Sequence, residues 1–499
     1  MSLELEKIRQ VVSKDIDPKI KSQFGQFFTP ATIAVFMADM FVDNDYDYCR
    51  LLDAGAGIGS LSTAFLDRWT SGGFSFHHIK LDAFEIDNFL KEYLTQTLNK
   101  YSEHSGFNLT IRSNDFIHTA VDYLSDDLFA EKLPKYTHAI LNPPYKKIKS
   151  NSAHRAALRQ VGIETVNLYS AFVALSLLLL DVQGQLVAII PRSFCNGLYY
   201  RSFRNFIIKR AAIRKVHLFK SRNKAFKDDD VLQENVIILL ERGSQQGPVI
   251  ISTSTDDSFS DLDIHEHPFE QIIYPEDNEQ YIHLPTSSEI NAFELNPSIR
   301  NSLSDLKICV STGPVVDFRV KEHLCKMPET NTVPLLYPTH FIRNGCEWPK
   351  KGIKKPNAIK RNNYTDKLLY PNGFYCVVRR FSSKEEKRRI VANIVNPDQF
   401  PTTSALGFEN HLNVFHEGKK SLPRALSFGI ALFLNSTTVD DYFRTFNGHT
   451  QVNATDLRQL KYPSRDTLIT FGEWGMLQAE LTQKMIDHKL ELLLNEKEK

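Results

Sequence analysis

At positions 139–145 a short apolar run, Ala139-Ile140-Leu141, gives way to Asn142-Pro143-Pro144-Tyr145. Neither proline can continue a central strand or a helix, so the chain turns there and holds its new direction rigidly. The Asn142 side chain ends in a carbonyl oxygen. The Pro143 backbone carbonyl, aimed away from any ladder, supplies a second acceptor. Two such oxygens directed at one amino group would pull a planar, conjugated nitrogen toward a tetrahedral geometry and free its lone pair for attack. Tyr145 adds a ring that can stack on a planar substrate, worth ~1–3 kcal/mol for a nucleobase. This chemistry is positioning plus electrostatics and needs no activated serine or cysteine. The bland alternative is a proline-rich turn with a packed tyrosine.

A second set of residues suits a nucleotide. Leu51-Leu52-Asp53-Ala54 runs into Gly55-Ala56-Gly57-Ile58-Gly59. Such glycines permit positive φ and let a ligand approach the backbone, and a following helix offers its N-terminus to an anion. The spacing is GxGxG, not the GxGxxG of the dinucleotide fingerprint. The next apolar run ends in Phe84-Glu85-Ile86-Asp87, where an acid can bind ribose hydroxyls. A third precedes Ser113-Asn114-Asp115-Phe116, an acid for an adenine amino group beside a ring for its face. Each acid alone is an ordinary loop residue. Three at consecutive strand ends describe a pocket for an adenosine-bearing ligand, with NAD and S-adenosylmethionine both open.

The elements that must hold these residues alternate. Apolar runs at 51–54, 79–84, 109–112, 139–141, 186–191, 215–219 and 236–241 predict strands. Helical patterns fall at 31–41, 60–69, 88–101, 168–180 and 199–209. Near-continuous apolar strands with helices between them predict an α/β fold whose parallel sheet is covered on both faces. The last two strands, joined by a polar loop, would form an antiparallel edge. Beyond residue 243 the texture changes: 244–260 reads as a linker, the stretch after it is irregular, and 474–496 has the spacing of an amphipathic helix. The expected domains are therefore 1–245, 246–473 and a terminal helix, 474–499.

Composition excludes more than it assigns. The 499 residues carry a net charge of +1, so overall charge does not announce a polyanion. The six cysteines are scattered without ligand spacing, which predicts free thiols in a cytoplasmic protein and no metal site. The longest apolar stretch, 168–180, is shorter than the ~20 residues that span a bilayer, and the charged start MSLELEKIRQ lacks a signal-peptide core.

Taken in order, these motifs resemble the gamma-class N6-adenine DNA methyltransferases of type II restriction-modification systems. Phe24-Gly25-Gln26-Phe27-Phe28-Thr29-Pro30 is similar to that family's N-terminal cofactor motif, and the run opened by Asn167-Leu168-Tyr169 is also similar. The resemblance implies a Rossmann-like, seven-stranded, mostly parallel methyltransferase sheet followed by a mixed α+β target-recognition domain. It implies S-adenosylmethionine as cofactor, bound by Phe28, Thr29, Pro30, Asp53, Ala54, Gly55, Gly57, Glu85, Ile86, Asp115 and Phe116. Asn142, Pro143, Pro144 and Tyr145 would hold a flipped adenine, with Phe226 as a second aromatic contact. Phe219 offers itself for that contact or as plain core. Double-stranded DNA is the expected partner, with a separately encoded endonuclease as functional counterpart and a monomer as the working form.

Between 341 and 399 basic residues cluster with interleaved aromatics, the footprint of phosphate contact. Lys350, Lys351, Lys354, Lys355, Arg379 and Arg380 are the candidates there, joined by His449, Thr450 and Gln451 on a later polar loop. A spaced Asp398…Glu417-Gly418-Lys419 mimics a nuclease pattern that chance readily supplies. Three rivals remain at this level: the same chemistry on RNA or a glutamine amide, a nicotinamide oxidoreductase, and a non-catalytic DNA-binding subunit.

Overall fold

The computed structural model describes residues 3–15, 28–44, 46–125, 133–221, 234–287, 296–342 and 345–495. The chain divides into two compact units, Met1–Ser288 and Glu289–Lys499.

The first unit is built on one sheet. Its strands are β1 (Tyr48–Ala54), β2 (His78–Phe84), β3 (Phe107–Arg112), β4 (Tyr136–Leu141), β5 (Leu180–Pro191), β6 (Ala211–Phe219), β7 (Asn235–Arg242), β8 (Val249–Ser254) and β9 (Asp263–His267), in the order 3-2-1-4-5-7-6-8-9. Strands β3, β2, β1, β4 and β5 are mutually parallel, and β7 runs antiparallel between β5 and β6. Helices α1 (Leu3–Asp15), α2 (Ala31–Asp39), α3 (Ser60–Thr70), α4 (Asn88–Asn99), α5 (Phe116–Leu124), α6 (Ala153–Gln160), α7 (Leu168–Leu179) and α8 (Arg201–Arg210) accompany it.

Period-two alternation sorts the two cores. Ala139 and Leu141 of β4, with Leu186, Ala188 and Ile190 of β5, pack on Phe116, Leu158, Ala171 and Phe203. Ile140, Val187 and Ile189 pack on the opposite side with Ile33, Met37 and Phe65. Because both faces are covered, no strand residue in this stretch can be polar without a partner, which is why these runs read as continuously apolar.

All seven expected strands are present, and two more extend the sheet to nine. The segment 244–260, read as a linker, contains β8. It has only three consecutive apolar residues because its second half is satisfied by hydrogen bonds: His217 of β6 reaches Ser252 Oγ at 2.9 Å and Ser254 Oγ at 3.1 Å. Nor is β7 an edge. Val236 to Leu240 are all buried, so it needs neighbours on both sides.

The second unit holds a four-stranded sheet (Cys309–Thr312, Leu412–His416, Tyr375–Arg379, Ala392–Val395) and a five-stranded one (Leu324–Cys325, Ala358–Lys360, Thr332–Leu336, Ala405–Phe408, Leu369–Pro371). Five helices come after the sheets: α9 (Arg424–Leu434), α10 (Thr437–Phe446), α11 (Ala454–Gln459), α12 (Arg465–Met476) and α13 (Gln483–Asn495). The single terminal helix expected over 474–496 is therefore two. Thr482 Oγ1 accepts from the Met485 N–H and starts a new helix, and Asp487 of that helix takes both the N–H and the hydroxyl of Thr437. No described helix is long and apolar enough to cross a membrane.

Candidate functional site

Strand order reverses between β1 and β4, the position at which open α/β sheets leave a crevice beyond their carboxyl ends. Register fills that crevice. Ala54 pairs with Phe84, and Phe84 with Arg112, so Gly55, Glu85 and Ser113 leave the sheet side by side. A cavity of about 320 Å³ lies there, walled by residues from seven segments of the chain.

The glycine turn forms its floor. Gly55, Gly57 and Gly59 have φ of 84°, 57° and 89°, where a side chain would be strained. The turn is pinned to β2: Gly55 and Ala56 both donate to the Phe84 carbonyl, and the Gly57 N–H donates to Glu85 Oε2 at 2.8 Å. The other Glu85 oxygen accepts from the Asp87 N–H at 2.8 Å. This carboxylate is thus fixed in orientation at the cavity wall. Burial pushes its pKa up.

Asp53 lies beneath the turn, outside the cavity wall. It is fully buried and accepts from Ser62 Oγ at 2.6 Å in the first turns of α3. Burial pushes its carboxyl up to about 7. Ala54, also fully buried, ends β1 directly before the turn.

At the end of β3, Asp115 caps α5. Its Oδ1 accepts from the His118 N–H at 3.0 Å, and its Oδ2 meets His154 Nε2 at 2.9 Å. Burial opposes the Asp115 charge, but the bonds from His154 and the backbone outweigh it and hold the carboxyl below its ordinary range. The same hydrogen bond raises His154. Asp115, His118 and His154 bring three ligand-type atoms within 4.8 Å of one another, but the Asp115 carboxylate already serves the helix cap and His154. Phe116 packs on Phe172 of α7 at 5.0 Å, and Ile86 is half exposed on the opposite wall.

Asn142 enters the same cavity from the end of β4. Its Nδ2 donates to Thr29 Oγ1 at 2.9 Å. Thr29 is itself buried, between Phe28, which lies 3.6 Å from where a Cβ on Gly57 would stand, and Pro30, the N-cap of α2. Pro144 lines the cavity while Pro143 is buried. Tyr145 is half buried. Its hydroxyl donates to the Ile189 carbonyl at 3.0 Å and its ring meets Tyr169 edge-on. Phe226, and residues 24–27 of the N-terminal motif, lie outside the described residues. Phe219 is buried, packed with His217 and Phe259.

These walls fit an adenosine-bearing sulfonium. Ser60 Oγ, in the wall, is buried with no hydrogen-bond partner among the described residues, and a Cβ on Gly55 would come within 3.8 Å of Phe172. The ring and acid ends of the cavity match a base and a ribose, and the α3 N-terminus matches a carboxylate. Sequence reasoning missed His154 and Lys146, both in this wall. A polar helix with one histidine carries no signal until Asp115 is seen opposite.

In the second unit the basic candidates differ in state. Lys351 and Lys354 are exposed. Lys350 reaches Glu347 at 3.1 Å, Lys355 meets Asp317 at 2.8 Å and Arg379 is paired with Glu386. Arg380 Nη2 lies 3.4 Å from Gln451 Oε1, and the backbone of Thr450 accepts from Ser382. His449 lends its carbonyl to Arg389, which is buried and structural, not a surface cation.

Residues 29–226 match the family model of the Eco57I restriction-modification methylase. Over 483 residues, 96% of each chain, the protein is 53% identical to the type II methyltransferase M.BsuBI of Bacillus subtilis. Over 99% of its length it is 40% identical to the type II methyltransferase M.PstI of Providencia stuartii, covering 98% of that protein. Among solved structures it superposes on DrdV, from a cryo-EM DrdV–DNA complex, with a TM-score of 0.51 at 12% identity, over 94% of this chain and 59% of that one. The chain belongs to the type II restriction-modification methyltransferases. Its cofactor is S-adenosylmethionine.

Proposed function

We propose that the protein is a site-specific DNA adenine-N6 methyltransferase that modifies an adenine flipped out of a short duplex sequence. The observation that carries this reading is the Asn142 amide, oriented by Thr29, in one cavity with Gly55, Gly57, Glu85 and Asp115. With its NH2 engaged, the amide turns Oδ1 toward a substrate N–H, and the Pro143 carbonyl is the second acceptor. Tyr145, tethered at its hydroxyl, keeps a ring face for stacking on the base. Phe226 is the proposed second aromatic contact. S-adenosylmethionine, when bound, supplies an electrophilic methyl. The residues of this chain align the attacking nitrogen and hold the ribose and the adenine of the cofactor at Glu85 and Asp115.

A base inside a duplex cannot reach such a cavity, so the reading entails base flipping, at a cost of a few kcal/mol. By the family resemblance, asparagine, not serine, before the proline pair, together with the motif order, favours adenine over cytosine. Duplex DNA is the partner, and the second unit its reader, a role supported by the basic and aromatic residues between 341 and 399. The expected biological setting is a monomer that protects host DNA from a separately encoded endonuclease. Single-molecule sequencing of DNA from cells with and without the protein tests this directly, with total RNA and protein assayed in parallel. N6-methyladenine in one short motif is the expected result. Methyl transfer only to RNA or protein would overturn it.

A further inference from the structure

Within the second unit a cleft of about 210 Å³ opens between Tyr337, Phe381 and His411, with Lys355, Arg379 and Glu409 at its margins. The histidine in it is held as a reading group is held. Glu409, 1% exposed, turns its buried carboxylate onto His411. Oε2 accepts the His411 backbone N–H at 2.9 Å, and Oε1 accepts from Nδ1 at 2.5 Å. A carboxylate only accepts, so Nδ1 carries the hydrogen, and in the neutral imidazole Nε2 bears the lone pair. Nε2 has no partner among the described residues, and the His411 side chain is 42% exposed.

The neighbours are equally fixed. Phe381, 41% exposed, lies 5.0 Å from the His411 ring. Arg380 donates its N–H to the His411 carbonyl at 2.8 Å and its guanidinium to Asn410 and Gln451, and Gln451 bridges back to Phe381. Both His411 and Phe381 adjoin the ends of paired strands, Tyr375–Arg379 and Leu412–His416, which makes them rigid.

The charges say what this cleft is for. A phosphate site needs unpaired cations, yet Lys355 is engaged by Asp317 and Arg379 by Glu386. What is left over is directional: one imidazole acceptor beside an exposed apolar ring. Phosphate contacts position a protein on DNA, whereas directional hydrogen bonds and apolar contacts to base edges specify sequence. We propose that this cleft reads a base edge of the duplex. His411 Nε2 accepts a hydrogen bond from an exocyclic amino group, adenine N6 or cytosine N4, in the major groove; Phe381 packs on the adjacent base edge; Glu409 is a positioning residue that acts through His411. This rests on the DNA methyltransferase reading above.

A random-sequence duplex library, methylated by the full-length protein and sequenced at single-molecule resolution, tests both. His411→Ala is expected to lose about tenfold or more in kcat/KM on the preferred motif and to relax preference at one base pair of it. Glu409→Gln should relax the same base pair more weakly, and His411→Gln, which still offers an acceptor, should retain part of the preference. Non-specific DNA affinity and its salt slope should stay unchanged in all three. If the wild type methylates a motif and His411→Ala and Phe381→Ala keep its tolerance at every position, the cleft does not read DNA. A loss spread evenly over all sequences, with a shallower salt slope, would make it a phosphate contact instead. No methylation of the library by the wild type would overturn the function itself.

Discussion

The side-chain amide of Asn142 donates to the hydroxyl of Thr29 across 113 positions of sequence, at 2.9 Å. The contact joins the end of β4 to the entry of α2. It decides which way the amide faces, because an amide whose nitrogen is engaged offers its oxygen elsewhere.

Asn142→Ala should therefore reduce methyl transfer by about 10²–10³-fold or more, by analogy with deleting one preorganised hydrogen-bonding group, while the cofactor dissociation constant moves by less than about threefold. Thr29→Val keeps the volume and removes the acceptor. A loss of about 5- to 100-fold in kcat is expected, and Thr29→Ser should restore most of it. Single-turnover kinetics and equilibrium cofactor binding measure the two effects separately.

Asp53 predicts a slope of stability against pH. Burial raises its carboxyl from 3.8 to about 7, so the folded chain binds that proton more tightly than the unfolded one. Stability then falls as pH rises between those values. Asp53→Asn removes the titration, and its advantage over wild type should grow by about 2–4 kcal/mol from pH 4 to pH 8. Urea unfolding across that range reads the difference. A parallel pair of curves would mean that Asp53 is ionised in the folded protein.

The Asp115–His154 pair has its own window. His154 is raised above 6.5, so its contribution is complete below that value and lost as pH rises through the folded pKa. Asp115 is lowered below 3.8, so its share is present above that and lost only in stronger acid. The loss of thermal stability in His154→Gln is expected to be greatest near pH 5–6 and to shrink toward pH 9. Melting temperatures of both proteins at each pH check it.

Lys354 and Lys355 separate by environment. Lys354→Glu should weaken DNA binding and reduce the slope of log K against log salt by about one per lost phosphate contact. Lys355 is already paired with Asp317, so Lys355→Glu, which sets a second carboxylate beside it, should lower the melting temperature and change the salt slope less than Lys354→Glu does. Binding titrations at four salt concentrations distinguish them. An unchanged slope for Lys354→Glu removes that side chain from the interface.

What could be read from residues alone depended on how each signal is written. The strands 51–54 through 236–241 were legible because both faces of the sheet are covered, which forces continuous apolar runs. Strand β8 was not, since its Ser252 and Ser254 are satisfied by His217, a partner distant in sequence. The same holds at the site. Glycines at strand ends announce themselves locally, so Gly55 and Gly57 were found. His154 is paired with Asp115, 39 positions away, and no periodicity encodes that pairing. Arg389 misled for the opposite reason: its charge counts toward a basic cluster, while its guanidinium is spent inside on Asn447.

Helices α9 and α12 meet backbone to backbone at two glycines. A Cβ on Gly429 would stand 1.7 Å from the Leu468 carbonyl oxygen, and one on Gly472 would stand 1.8 Å from that of Ala425. Two helices this close share one shape, so α12 is a keystone of the second unit. Fusions and truncations built on the second unit must carry the chain through α12, or they will leave the apolar flank of α9 open to water.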